Sequence, residues 1–147
     1  MKKQIWFPIV AAAIIVLAAW NKPLREMMTP EKTVSKNISF AVYKAGDYNS
    51  NIYADASAKL QVTVVKVRGT HRSTVWQKSY DAKLLKQYPK LENAIAQNVV
   101  INNVVDSKEH LEVVYTLTYD TKGSELQLQD GAVISQGEKD GKLFINI

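Results

Sequence analysis

The chain contains no cysteine among its 147 residues, which removes disulfides, thiolate nucleophiles and Cys-ligated zinc from consideration. Histidine is nearly as scarce. The two that occur, His71 and His110, stand far apart, and neither has a second histidine at metal-ligand spacing. No G-x-S-x-G elbow, P-loop or G-x-G-x-x-G cradle is present. Carboxylates are plentiful, and Asp81, Glu92, Asp106 and Glu109 are candidates to meet in space. A chain with 14 acidic residues offers many such pairs, so they single out no reaction. These absences argue against an enzyme and against any cofactor.

A basic stripe on a folded domain is also missing. The net charge of +5 divides unevenly: Lys2, Lys3, Lys22 and Arg25 against Glu26 leave +3 in residues 1–30. The remaining 15 basic and 13 acidic residues leave only +2 for the rest. The excess flanks an apolar run, where membrane proteins place it, and does not form a nucleic-acid footprint. Nucleic acid is therefore not expected as a partner.

That run extends from Ile5 to Trp20 without a charge. As a helix it would cover roughly 24 Å, between the apolar core of a signal peptide and a full membrane span. Trp6 and Trp20 bracket it as interface aromatics do, and Pro8 falls in the first turn, where a missing N–H costs little. The following "LREMM" can carry the helix into the headgroup layer, with Arg25 snorkelling. A cleavage site near Ala18 or Ala19 has no clean A-x-A, and bulky Trp20 follows it. The expectation is a retained single-span anchor over residues 1–28, touching membrane lipids through Lys2, Lys3, Trp6, Trp20, Lys22 and Arg25. Lys2 and Lys3 on a short tail favour a cytoplasmic N-terminus, which puts the rest of the chain in a periplasm or at a cell surface. A polar linker, residues 29–37, follows.

From residue 38 to 147 the apolar period becomes two. Ile38, Phe40 and Val42 alternate with Ser39, Ala41 and Tyr43. Leu60, Val62 and Val64 do the same before Val65 and Val67 reverse the phase, as at a bulge. The clearest series is Leu111, Val113, Tyr115, Leu117 and Tyr119. Turn signals are Arg68-Gly69, Lys122-Gly123, Asp130-Gly131 and Asp140-Gly141. Only Asp81 to Gln97 breaks the pattern. There Asp81 reads as the N-cap of a short helix, and Pro89 as the start of a second running through Leu91 and Ile95. The predicted fold is all-β: an immunoglobulin-like or related β-sandwich of about seven strands with one short helical crossover, behind a single N-terminal transmembrane helix. Trp76, in the third strand, is expected in the core.

Three stretches are candidate sites. Asp47, Asn49, Asn51 and Asp55 have the oxygen-ligand spacing of the front of a calcium loop. Ile52 stands where the turn needs glycine, and Ala58 where a bidentate Glu should close the site. Tyr48 and Tyr53 lie in the same loop, in a composition typical of recognition surfaces. Lys66, Arg68, His71 and Arg72 crowd a hairpin tip that either meets an acidic surface or simply keeps an edge solvated. The expected function is binding: an accessory subunit of an envelope complex, partnered by other membrane or envelope proteins. A secreted adhesin or glycan-binding module, and a filament built on the apolar helix, are the alternatives.

Overall fold

The computed structural model describes residues 30–147. The chain divides into two compact units, Met1–Lys32 and Thr33–Ile147, and all the strands described belong to the second. The anchor and its interface residues, Lys2, Lys3, Trp6, Trp20, Lys22 and Arg25, lie outside the described residues. No helix among the described residues is long and apolar enough to cross a membrane.

The period-two segments form seven strands: β1 (Val34–Tyr43), β2 (Ser57–Arg68), β3 (His71–Leu84), β4 (Ile95–Val104), β5 (His110–Thr121), β6 (Ser124–Ile134) and β7 (Asp140–Asn146). They make two sheets, of order β4-β1-β7 and β3-β2-β5-β6. Every pairing is antiparallel except β1 with β7. The fold is thus the expected all-β sandwich. Its core is the inward phase of each strand: Ile38, Phe40 and Val42 from β1 face Leu60, Val62 and Val64 from β2 and Leu111, Val113 and Leu117 from β5. Leu60, Val62, Val64 and Leu111 are fully buried, and burying a side chain of this size contributes about 1.5–3 kcal/mol. Trp76 is half-buried, with its ring 5.8 Å from that of Phe40.

The phase change after Val64 is a bulge, but the extra residue is in β3, where Thr74 and Trp76 oppose Val65 and Val64. The expected helical crossover does not form. Asp81 lies inside β3, and the connection to β4 holds only two 3-10 turns, Leu85–Gln87 and Leu91–Asn93. Tertiary contacts outweigh helix propensity here. Leu85 is buried, its N–H donates to Ala56 O, and the buried Tyr88 hydroxyl donates to Ala58 O at 2.9 Å.

Two expected turns are also absent. Asp130-Gly131 lies within β6 and Asp140-Gly141 opens β7. Their glycines serve packing, since a Cβ on Gly131 would strike the Val113 carbonyl and one on Gly141 would strike the Ile134 side chain. Two expected turns do form: Arg68-Gly69 leads into the β2–β3 hairpin with Gly69 at φ 58°, and Lys122-Gly123 joins β5 to β6 with φ of 53° and 83°, values that suit a two-residue primed turn.

Candidate recognition ends of the sandwich

The strands fix two ends. Chain direction puts the start of β1 at one end, together with the β2–β3, β4–β5 and β6–β7 connections. The β1–β2, β3–β4 and β5–β6 connections and the C-terminus lie at the other. The 12 residues of β2 separate them by roughly 36 Å. The five candidate binding residues therefore do not share a surface. Tyr48 and Tyr53 precede β2, whereas Arg68, His71 and Arg72 follow or close it.

At the end where β1 begins, charge is neutralised internally. Arg72 pairs bidentately with Glu112, and His110 Nε2 lies 3.4 Å from the same carboxylate. Arg72, then His110, holds the Glu112 carboxyl below the usual carboxylate range. Lys66 and Arg68 both stand 3.8 Å from the buried Glu109, which accepts the Val105 N–H at 2.8 Å. Asp106 faces Lys36, so Asp106 and Glu109 are engaged by separate cations; Asp81 and Glu92 lie at the far end of β3 and in the following turn.

Lys36 itself was not singled out by the sequence reading. Its side chain is 0% exposed, and its Nζ donates to Asp106 Oδ1 at 2.7 Å and to Ser135 O at 2.6 Å. Gly137 N–H also donates to Asp106, and with Lys36 as the larger cause the Asp106 carboxyl is pulled below its ordinary value. One ammonium thus ties the β4–β5 and β6–β7 connections to β1. The signal was visible: Lys36 occupies the inward phase shared by Ile38, Phe40 and Val42.

The opposite end is aromatic. Tyr48, at φ 51°, sets its ring edge-on to Tyr53 at 5.2 Å and donates its hydroxyl to Ile147 O at 2.7 Å. Asp47 forms a 2.8 Å ion pair with Lys90, which holds its carboxyl below the usual carboxylate range. The carboxylate proposed to open a calcium loop thus faces a cation, and no cluster of three or more His, Asp or Glu able to hold a metal exists among the described residues. Ile52, Tyr53, Leu91 and Leu126 are exposed there at 68%, 37%, 53% and 60%. These four residues share an end of the sandwich, and Val133, 60% exposed, lies at the other.

Concave sites among the described residues are open hollows. One of about 170 Å³ lies between β6 and β7, lined by Ile38, Val113, Ile134, Gly141 and Leu143 among others, and two of about 330 and 320 Å³ lie along β5 and β6 and beside His110, Val133, Ser135 and Gln136. A comparison with protein-family models, curated proteins and solved structures finds no match to this chain.

Proposed function

We propose that this is a single-span, membrane-anchored accessory subunit that binds a protein partner outside the cytoplasm through the tyrosine-bearing end of its sandwich. One observation carries the reading. The segment that precedes the sandwich joins it at the charge-neutralised end, while Ile52, Tyr53, Leu91 and Leu126 are exposed at the opposite end. A tether before Val34 raises the effective concentration of the sandwich for anything held on the same membrane. Tyr53 is suited to the task, since its ring offers contact area with few rotors to freeze. We further infer an immunoglobulin-like variant. In support, β3-β2-β5-β6 has the order of C′-C-F-G, β4-β1 that of E-B, and β7 takes the place of the first strand beside B.

The test has two arms. Intact mass of the protein from native membranes should match the full chain; a mature form starting near residue 19 overturns the anchor and favours the secreted adhesin. Affinity capture in mild detergent should then retain envelope partners with the native chain and lose them with Tyr53→Ala plus Leu126→Ser. Partners retained equally by both would overturn the assignment of the apolar end.

A further inference from the structure

Among the described residues both edges of the four-stranded sheet are open, since β3 and β6 each have a single neighbouring strand. Open edges invite pairing with another chain unless they are blunted. Here each carries one blunting device of opposite sign. Lys78 points to the inner face of β3 and Asp130 to the inner face of β6, and they occupy one transverse row, Lys78–Val62–Tyr115–Asp130. The edges differ in overall charge in the same sense. β3 carries Arg72, Lys78 and Lys83 against Asp81, and β6 carries only Glu125 and Asp130.

We propose that copies of this chain join side by side through these edges, β6 of one copy pairing antiparallel with β3 of the next, row for row, so that Asp130 meets Lys78. The backbone supports that register. The turn at Lys122-Gly123 makes Thr121 and Ser124 a hydrogen-bonded pair, so bonded and non-bonded pairs alternate from there. Gln129 is then a non-bonded partner of Thr116, and turns its N–H and C=O to the open edge. Alternation across the row Ser79–Gln61–Thr116–Gln129 leaves Ser79 open as well. Two copies in register thus place open groups against open groups at Gln129–Ser79.

The side chains agree. The neighbouring row, Tyr80–Leu60–Leu117–Leu128, brings Tyr80 of the next copy against Leu128, whose side of the sheet is left uncovered by the three-stranded sheet (Leu128 is 49% exposed). Lys78 now donates to Gln97 Oε1 at 2.7 Å and lies over the Tyr80 ring, and Asp130 accepts the Tyr115 hydroxyl at 3.3 Å. Both charges lie at exposed edge positions, so each can turn to a neighbour.

Self-pairing of either edge is less favourable. β6 against β6 sets acids near acids, and an antiparallel pair of identical strands also inverts one copy. Pairing β6 with β3 keeps all copies upright and level, the arrangement that tethered neighbours share, although the edge argument does not require a tether. The contact is heterologous and so generates a row or a ring.

The cysteine-free chain provides the experiment. Full-length chains carrying Ser79→Cys are mixed with full-length chains carrying Gln129→Cys under mild oxidation. Facing Cα atoms of a bonded antiparallel pair stand about 5.5 Å apart, within disulfide range. The expected heterodimer yield is at least tenfold above that of Ser79→Cys with Glu125→Cys, where the register is four residues off, roughly 13 Å. Adding Asp130→Lys to the second chain, or Lys78→Glu to the first, should cut the yield at least fivefold, and combining the two should restore it. The two single charge variants probe opposite edges, and the thermal midpoint of each shows whether its fold is retained. Equal yields for the matched and mismatched pairs overturn the proposal, as does a yield indifferent to both charge reversals.

Discussion

Replacing Lys36 separates two roles for a buried charge. The Lys36 ammonium is fully enclosed, and its partner Asp106 is 31% exposed at the side chain. Enclosing an ion costs several kcal/mol, which the pair and its hydrogen bonds return only in part, so a well-packed apolar substitute is often neutral or stabilising. Methionine matches lysine closely in length and fills the same channel. Lys36→Met should therefore unfold within about 1 kcal/mol of the native protein, a shift of at most about 4 °C for a domain of this size. Asp106 then turns towards water, and its hold on the Gly137 N–H loosens. Lys36→Ala removes about three buried methylenes and leaves a void, costing about 3 kcal/mol, or roughly 12 °C. Asp106→Asn keeps the ammonium enclosed without its counter-charge, so its midpoint should fall below that of Lys36→Met. Thermal unfolding followed by far-ultraviolet circular dichroism gives the three midpoints. Amide exchange at Gly137, which donates to Asp106 at 3.0 Å, should quicken in Lys36→Met because the carboxylate no longer holds it in place. If Lys36→Met loses as much as Lys36→Ala, the ion pair itself is what stabilises this end, and the reasoning fails.

Three further outcomes follow from the same contacts. Asp47, Asp106 and Glu112 are all held below the usual carboxylate range in the fold, Asp47 by Lys90, Asp106 by Lys36 and Glu112 by Arg72; the folded state holds their charge more readily than the unfolded chain, so their contribution is complete above the ordinary carboxylate range and lost as pH falls through the folded values. The thermal midpoint should thus drop below about pH 4, and less steeply in Asp106→Asn; an acid limb unchanged by that substitution would contradict the assignment. Tyr88→Phe removes the buried hydroxyl that donates to Ala58 O and should cost about 1–2 kcal/mol in urea unfolding, with the slope unchanged. Gly123→Ala puts a side chain at φ 83° and should cost about 1 kcal/mol or more, whereas replacing Lys122 by Asn, which tolerates the left-handed region, should be neutral or mildly stabilising.

Much of the sandwich was legible because its physical cause is local. Alternation in Leu111, Val113, Tyr115, Leu117 and Tyr119 assigns a face to each residue of β5 before any partner strand is known, and the five residues do share the inner phase. What failed was everything decided by a distant neighbour. Asp81 to Gln97 has helical propensity, yet the first turn after β3 is set by Leu85 and Tyr88 docking on Ala56 and Ala58. Asp130-Gly131 reads as a turn until Val113 is brought across from β5. The site was less legible still, because Tyr48 and Arg68 are only 20 positions apart, and only the direction of β2 reveals that they point to opposite ends. Lys36 is the exception. Its position in an apolar phase was a local signal that a charge would be buried, although the identity of its partner was not.

Strand length links these results. An antiparallel pair as long as β2 and β5 holds its two ends too far apart for side chains to couple directly, so each end is free to carry a different surface. At one, Lys36, Lys66, Arg68 and Arg72 meet Asp106, Glu109 and Glu112 within the domain itself, leaving little unbalanced charge for an outside ligand. At the other, Tyr48 spends its hydroxyl on Ile147 O and thereby fixes the loop that holds Tyr53 and Ile52 outward. A ring held this way presents its apolar area without having to be ordered on contact, which removes part of the entropic cost of association. The C-terminal residue is then part of the site's support: Ile147 is buried, and its N–H donates to Tyr43 O at 2.8 Å while its own carbonyl holds Tyr48. The seventh strand, added beside β1 in parallel, both completes the smaller sheet and delivers that carbonyl to the end where the tyrosines lie.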